Sequence, residues 1–172
     1  VAGAVKGQVL TGEVPESVAY RATDDYDGHG TTIAELIAGT GAGGGLKGLA
    51  PGAKIVPYRV KFDDLKGSVA ELNRTPEPAE AIRAAADTDA EIINMSFGAL
   101  GPSSKEEEAV RYAASKGKLL IAAVGNDGRK AGDTIDYPAA YPYVAGVAAS
   151  DKSGAVSKFS SSGGYVDFAA PG

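Results

Sequence analysis

No cysteine occurs among the 172 residues. That excludes disulfides and thiolate zinc sites, and a chain long enough to bury a real core needs no such staples. Long apolar runs are missing as well: none reaches the roughly 20 residues of a membrane-spanning helix. Val1–Thr11 also lacks the basic stretch followed by an apolar one that marks a secretory leader. No basic run appears, and 17 Lys and Arg against 22 Asp and Glu leave a net charge of -5. Neither a nucleic-acid surface nor an anionic-membrane surface is expected. Histidine is nearly absent too, His29 being the only one.

What is present reads as globular, with 44% hydrophobic and 23% charged residues. No repeat or domain-splitting linker stands out, so residues 1–172 are expected to form a single domain. Short apolar runs alternate with helical segments, the pattern of a parallel sheet covered by helices. Strands are expected at Gln8–Leu10, Ile55–Val60, Ile92–Ser96, Leu119–Val124, Val144–Ala148 and Val166–Ala169. Leu119–Val124 has no polar alternation, as in a strand buried on both faces.

Helix signals lie between the strands. Thr75 before Pro76 reads as an N-cap with proline at the first helical position, leading into Ala79–Ala86. Ser103 and Glu106 match a capping box for a helix running to about Lys116, with Gly117 past its end. Val110, Ala113 and Ala114 would form its apolar stripe, and Glu107 and Arg111 an i,i+4 pair on the wet side. A further helix starts near His29, buries Ile33 and Ile37, and ends at Gly39.

Several motifs have an inert reading beside a chemical one. "GTGAGG", Gly39–Gly44, matches G-x-G-x-x-G but follows a helix instead of a strand, so a flexible connection fits better than a dinucleotide site. Asp24, Asp25 and Asp27 resemble part of a calcium loop, but Thr23 and Ala34 stand where an EF-hand needs acidic residues. Helix capping accounts for them. A lone histidine is most often structural. His29, however, sits between two glycines at a helix start, which lets other segments approach the ring and suits a general base. In "IAAVGNDG" a buried strand ends at Gly125 and Asn126. Turn chemistry is the default there, and an amide donor aimed at an oxyanion is the functional alternative. Ser96 in "INMSFG" stands at a strand end, yet Asn94 breaks G-x-S-x-G. Residues Ser160–Ser162 lack a following helix to hold a nucleophile, and turn use is expected.

Together, "DGHGTTIAELIAG", "GLAPGAKIVPYRV", "IINMSFG", "LLIAAVGNDG", "YPAAYPYVAGVAASD" and "FSSSGGYVDFAAPG" resemble the subtilisin-like serine proteases, in order and over nearly the whole chain. The second and fifth look most like actinobacterial secreted members, including mycosin-type proteases of type VII secretion. The resemblance implies a doubly wound α/β fold with a mostly parallel sheet and helices on both faces. It implies a serine endopeptidase, secreted or in the cell envelope, acting on peptide or protein substrates by a Ser-His-Asp mechanism. His29 corresponds to the triad histidine and Asn126 to the oxyanion-hole amide. Ser96, Phe97 and Gly98 correspond to the strand that pairs with substrate backbone. Ala122, Ala123, Val124 and Gly125 line one side of the pocket for the residue before the scissile bond. Asp27 belongs to the D-G-H-G-T motif and is not the triad acid. The chemistry requires no cofactor or metal. Relatives often hold structural calcium, for which this sequence assigns no ligands.

The departures are as informative. No D-[ST]-G segment carrying the triad acid and no G-T-S-x-A segment carrying the nucleophile occurs in these residues. Thr32 stands where many relatives have a second histidine. Glu35 replaces a small residue and is expected to face water. The chain alone is expected to be inactive and to need partner segments carrying the acid and the serine, both for turnover and to cover its sheet. The alternatives are a non-catalytic peptide- or protein-binding relative and an unrelated α/β binding protein.

Overall fold

A computed structural model describes residues 28–60, 76–128 and 135–172. The expected strand at residues 8–10, the capping Thr75, and Asp24, Asp25 and Asp27 lie outside the described residues. The chain divides into two compact units, Val1–Ala84 and Ala85–Gly172.

In the first unit, helix α1 (His29–Ala38) begins after Gly28, whose φ of 84° is open to glycine at little cost. Thr32 anchors the first turn, donating from both its N–H (3.0 Å) and its hydroxyl (2.9 Å) to the Gly28 carbonyl. Gly39 ends the helix as expected. The glycine-rich stretch then doubles back: a 3-10 turn (Ala42–Gly44) leads to a bridge between Thr40 and Lys47. Gly39 donates to Glu35 O at 2.9 Å and accepts from Gly48 N at 2.8 Å. A Cβ on Gly39 would run into the Leu46 carbonyl, so close approach requires glycine there.

Three expectations for this unit are corrected. Ile33 and Ile37 are only half-buried, and of α1 only Ala38 is buried. Glu35 does not face water; it is half-buried and accepts from Leu46 N at 2.9 Å, tying the loop to the helix. Residues 55–60 form no strand. They are half-buried and mostly apolar, but a strand also needs neighbours for its N–H and C=O groups, and no ladder reaches them among the described residues.

Helix α2 (Pro78–Ala86) starts at Pro78, two residues after the expected proline. Glu80 explains the start: its Oε2 accepts from Glu77 N at 3.2 Å, half of a capping box with proline at the first helical position.

The second unit holds a four-stranded sheet in the order β1-β3-β5-β6. Its strands are β1 (Ile92–Met95), β3 (Leu119–Ala123), β5 (Val144–Ser150) and β6 (Phe168–Pro171), all paired in parallel. Two short strands, β2 (Ala99–Leu100) and β4 (Asp136–Tyr137), pair antiparallel beside it. Helix α3 (Ser104–Ser115) packs on β3 and buries Ala109, Val110 and Ala113. It ends in a Schellman motif, with Lys118 N bonded to Ala113 O (3.2 Å), Gly117 N to Ala114 O (2.9 Å) and Gly117 at φ 77°. The expected Glu107–Arg111 pair forms at 2.6 Å on its exposed side.

Register places Ile93 with Leu120, Met95 with Ala122, and Ala122 with Gly146 on one buried face. The alternate residues Ile92, Leu119 and Phe168 are 57%, 51% and 63% exposed. β3, against which α3 packs, is therefore buried at Leu120 and Ala122 but exposed at Leu119 and Ala123, so the expected burial on both faces is not found.

Candidate active site

Parallel strands release their chain at a common edge, and ligands of α/β sheets bind outside the carboxyl ends. Met95 pairs with Ala122, so residues 96–98 and 123–126 leave that edge from adjacent strands. The structure thus brings together Ser96, Phe97 and Gly98 with Ala122, Ala123, Val124, Gly125 and Asn126. His29 stands in the other unit, exposed at the first position of α1.

Along the first of these segments, Ser96 is half-buried and its Oγ accepts from Asn94 Nδ2 at 3.0 Å. Phe97 is half-buried and Gly98 exposed. Along the second, Ala122 and Val124 are buried and Ala123 exposed.

Around Asn126 four backbone groups are tied down. Tyr165 Oη donates to Val124 O at 3.1 Å. The Gly125 carbonyl accepts from Ser161 N at 3.0 Å, and Gly128 N donates to Phe159 O at 2.8 Å. Asp127 N donates to Ser161 Oγ at 3.1 Å. The Asn126 side chain itself is exposed, with no hydrogen bond among the described residues. A side-chain amide carried on backbone held in this way, with its tip free among the described residues, is able to donate a hydrogen bond to a group outside it.

Sequence reading missed the serines' part in this. Ser160 and Ser161 are buried, at 1% and 0% exposure. Ser160 Oγ accepts from Ala149 N at 3.0 Å, holding the segment to β5. They are structural anchors, more specific than the expected turn. Their adjacency to Asn126 arises across 34 residues of sequence between Asp127 and Ser161, and no local signal carries it.

Asp136 was missed as well. It is 4% exposed, and Ser161 Oγ donates to its Oδ2 at 3.2 Å. Burial pushes its carboxyl above the ordinary range, the Ser161 bond pulls back, and the negative charge of Asp127 raises it further. Gly125, at φ 99°, lies against it: a Cβ there would overlap the carboxylate. Tyr165 contributes its hydroxyl on Val124 O, and an isolated tyrosine gives no hint of that.

Among the described residues no three His, Asp or Glu side chains group in a way that could hold a metal ion. No helix among them is long and apolar enough to cross a membrane.

A parallel α/β sheet with loops gathered at its carboxyl edge defines a class of α/β folds, and comparison with known proteins narrows it. Residues 5–172 match the Subtilase family, peptidase S8, and the chain belongs to that family. The minor extracellular protease Epr of Bacillus subtilis is 38% identical over 86% of this chain and 22% of its own length. Subtilisin BL of Lederbergia lenta is 34% identical over 87% of this chain and 52% of its own. Among solved structures, the epidermin leader peptide processing serine protease of Staphylococcus aureus matches with a TM-score of 0.67 at 28% identity, covering 86% of this chain and 40% of that one. Sphericase matches with a TM-score of 0.61 at 36% identity, over 80% and 49%. The chain thus spans 22% and 52% of the length of these two curated relatives. The finer likeness to mycosin-type members has no counterpart among the relatives named.

Proposed function

We propose that these residues form part of a serine endopeptidase of the subtilisin type, supplying its histidine, its oxyanion donor and its substrate strand. Subtilase membership supports the reaction class, and the anchored, free-tipped Asn126 is the observation that carries the site.

In this reading His29 takes the proton from a serine hydroxyl as that oxygen attacks the peptide carbonyl. It then returns the proton to the leaving amine. The Asn126 amide donates to the oxygen that becomes negative in the tetrahedral intermediate. The backbone of Ser96, Phe97 and Gly98 pairs with extended substrate, and Ala122, Ala123, Val124 and Gly125 wall the pocket for the residue before the scissile bond. The acid that orients the imidazole and the serine that is acylated belong to complementary segments outside these 172 residues. The reaction needs no metal, since proton transfer and hydrogen-bond donation account for each step. Extracellular action fits the same reading, as in the relative named for it.

The test is hydrolysis of fluorogenic peptides by the product of the full gene, and by this chain mixed with segments carrying D-[ST]-G and G-T-S. Turnover that disappears in His29→Ala is the expected result. Peptide binding without turnover would favour the non-catalytic alternative. Applied to the 172-residue chain alone, a fluorophosphonate probe should label no serine.

A further inference from the structure

Asp136 is the only buried acidic side chain among the described residues. Buried carboxylates are ordinarily matched by a cation or by several donors. Among the described residues this one has a single neutral side-chain donor, the Ser161 hydroxyl at 3.2 Å, and no cation.

Its position is more telling than its isolation. The carboxylate lies against both Gly98 and Gly125, one on each of the two segments that leave the sheet edge side by side. A Cβ on Gly98 would stand 3.7 Å from Oδ1, and one on Gly125 would overlap the carboxylate outright. The pairing of Leu100 with Asp136 and of Ala99 with Tyr137 fixes this arrangement, because β2 continues directly from Gly98. Neither segment puts a side chain in front of the acid at these two glycines.

We propose that Asp136 is a specificity-determining residue of the substrate pocket and selects a cationic side chain, arginine or lysine, just before the scissile bond. This rests on the endopeptidase reading above. Substrate backbone lying along residues 96–98 would aim that side chain between the two glycines, toward the carboxylate. Its charge would supply a counter-ion that none of the described residues provides, and a guanidinium could bond Oδ1 while Ser161 holds Oδ2.

The experiment uses the full gene product and a set of peptides identical except for Arg, Lys, Leu, Phe or Glu before the cleaved bond. The expected kcat/KM for Arg and Lys exceeds that for Leu by at least about 10-fold, as a buried charge pair allows. In Asp136→Asn, which keeps the side-chain shape, the Arg-to-Leu ratio should fall on the order of 100-fold. Benzamidine, a small cation, should inhibit the parent protein competitively and Asp136→Asn far more weakly. If Asp136→Asn does not fold, the parent's own preference decides. Hydrolysis that favours Leu or Phe over Arg overturns this inference and leaves the endopeptidase reading intact. No hydrolysis of any peptide in the set overturns both.

Discussion

The hydroxyl of Tyr141 and the backbone of Ser103 hold each other twice: Ser103 N donates to Tyr141 Oη at 2.7 Å, and Oη donates to Ser103 O at 3.0 Å. Ser103 is also the N-cap of α3, its Oγ accepting from Glu106 N at 3.4 Å. A capping box would have Glu106 return to Ser103 N. Here the tyrosine takes that place and so links the helix start to the segment before β5. Removing the hydroxyl in Tyr141→Phe leaves both Ser103 groups without their partner and should cost about 1–3 kcal/mol. Urea unfolding of the full-length protein checks this. Burial, above all, pushes the Tyr141 phenol up to about 12, against 10.0 for a free one. The folded state therefore keeps its proton more tightly than the unfolded state. Its contribution should be complete below about pH 10 and be lost as pH rises through about 12, a decline that Tyr141→Phe should not show.

Gly125→Ala should be severe. The site combines φ 99°, which disfavours any Cβ, with overlap on the Asp136 carboxylate. A loss of at least about 2 kcal/mol is expected, read as a lowered denaturation midpoint. Pairing it with Asp136→Gly, which removes the overlapping group, should recover part of the loss and leave the cost of the dihedral.

Asp136→Asn should change stability in a pH-dependent way. The folded carboxyl titrates above its unfolded value, so the folded state binds the proton more tightly. Stability from this group is full below the ordinary carboxylate range and falls as pH rises through the raised value. The asparagine variant does not titrate, so its melting temperature relative to the parent should increase between acid and neutral pH. Thermal melts across that interval are the measurement, and a difference independent of pH would contradict the assignment.

Asn126→Ala should lower kcat with little change in KM, since an oxyanion donor acts where charge develops. In subtilisin, loss of an asparagine oxyanion donor costs about 10²–10³ in turnover, the scale expected here if Asn126 acts as proposed. Steady-state kinetics on the full-length protein give the split. A rise in KM alone would place the amide in ground-state binding instead.

Much of the second unit was legible from local sequence. Ser103, the Glu107–Arg111 pair and Gly117 marked α3 from end to end, because caps and i,i+4 pairs act within a few residues. The runs at residues 92–96, 119–124 and 144–148 became β1, β3 and β5 with shifts of one or two residues at their ends. The run at residues 55–60 looks much the same and forms no strand, since a strand exists only through its neighbours. Likewise the apolar run at β3 suggested burial on both faces, whereas the coverage depends on which elements lie above and below it.

Composition and short-range pattern therefore determined the elements: which segments turn helical, where caps stop them, and that a parallel α/β sheet results, while its subtilase kind was implied by the resemblance of six motifs taken in order. Local context left His29 and Asn126 with an inert and a chemical reading each, and the resemblance implied the chemical one. Only the tertiary structure decided that Ser161 clamps the loop bearing Asn126, and that Asp136 lies buried against Gly98 and Gly125. Caps and periodicities are set by groups a few residues apart. A buried carboxylate's partners are set by which distant backbones the sheet brings within 3 or 4 Å of it.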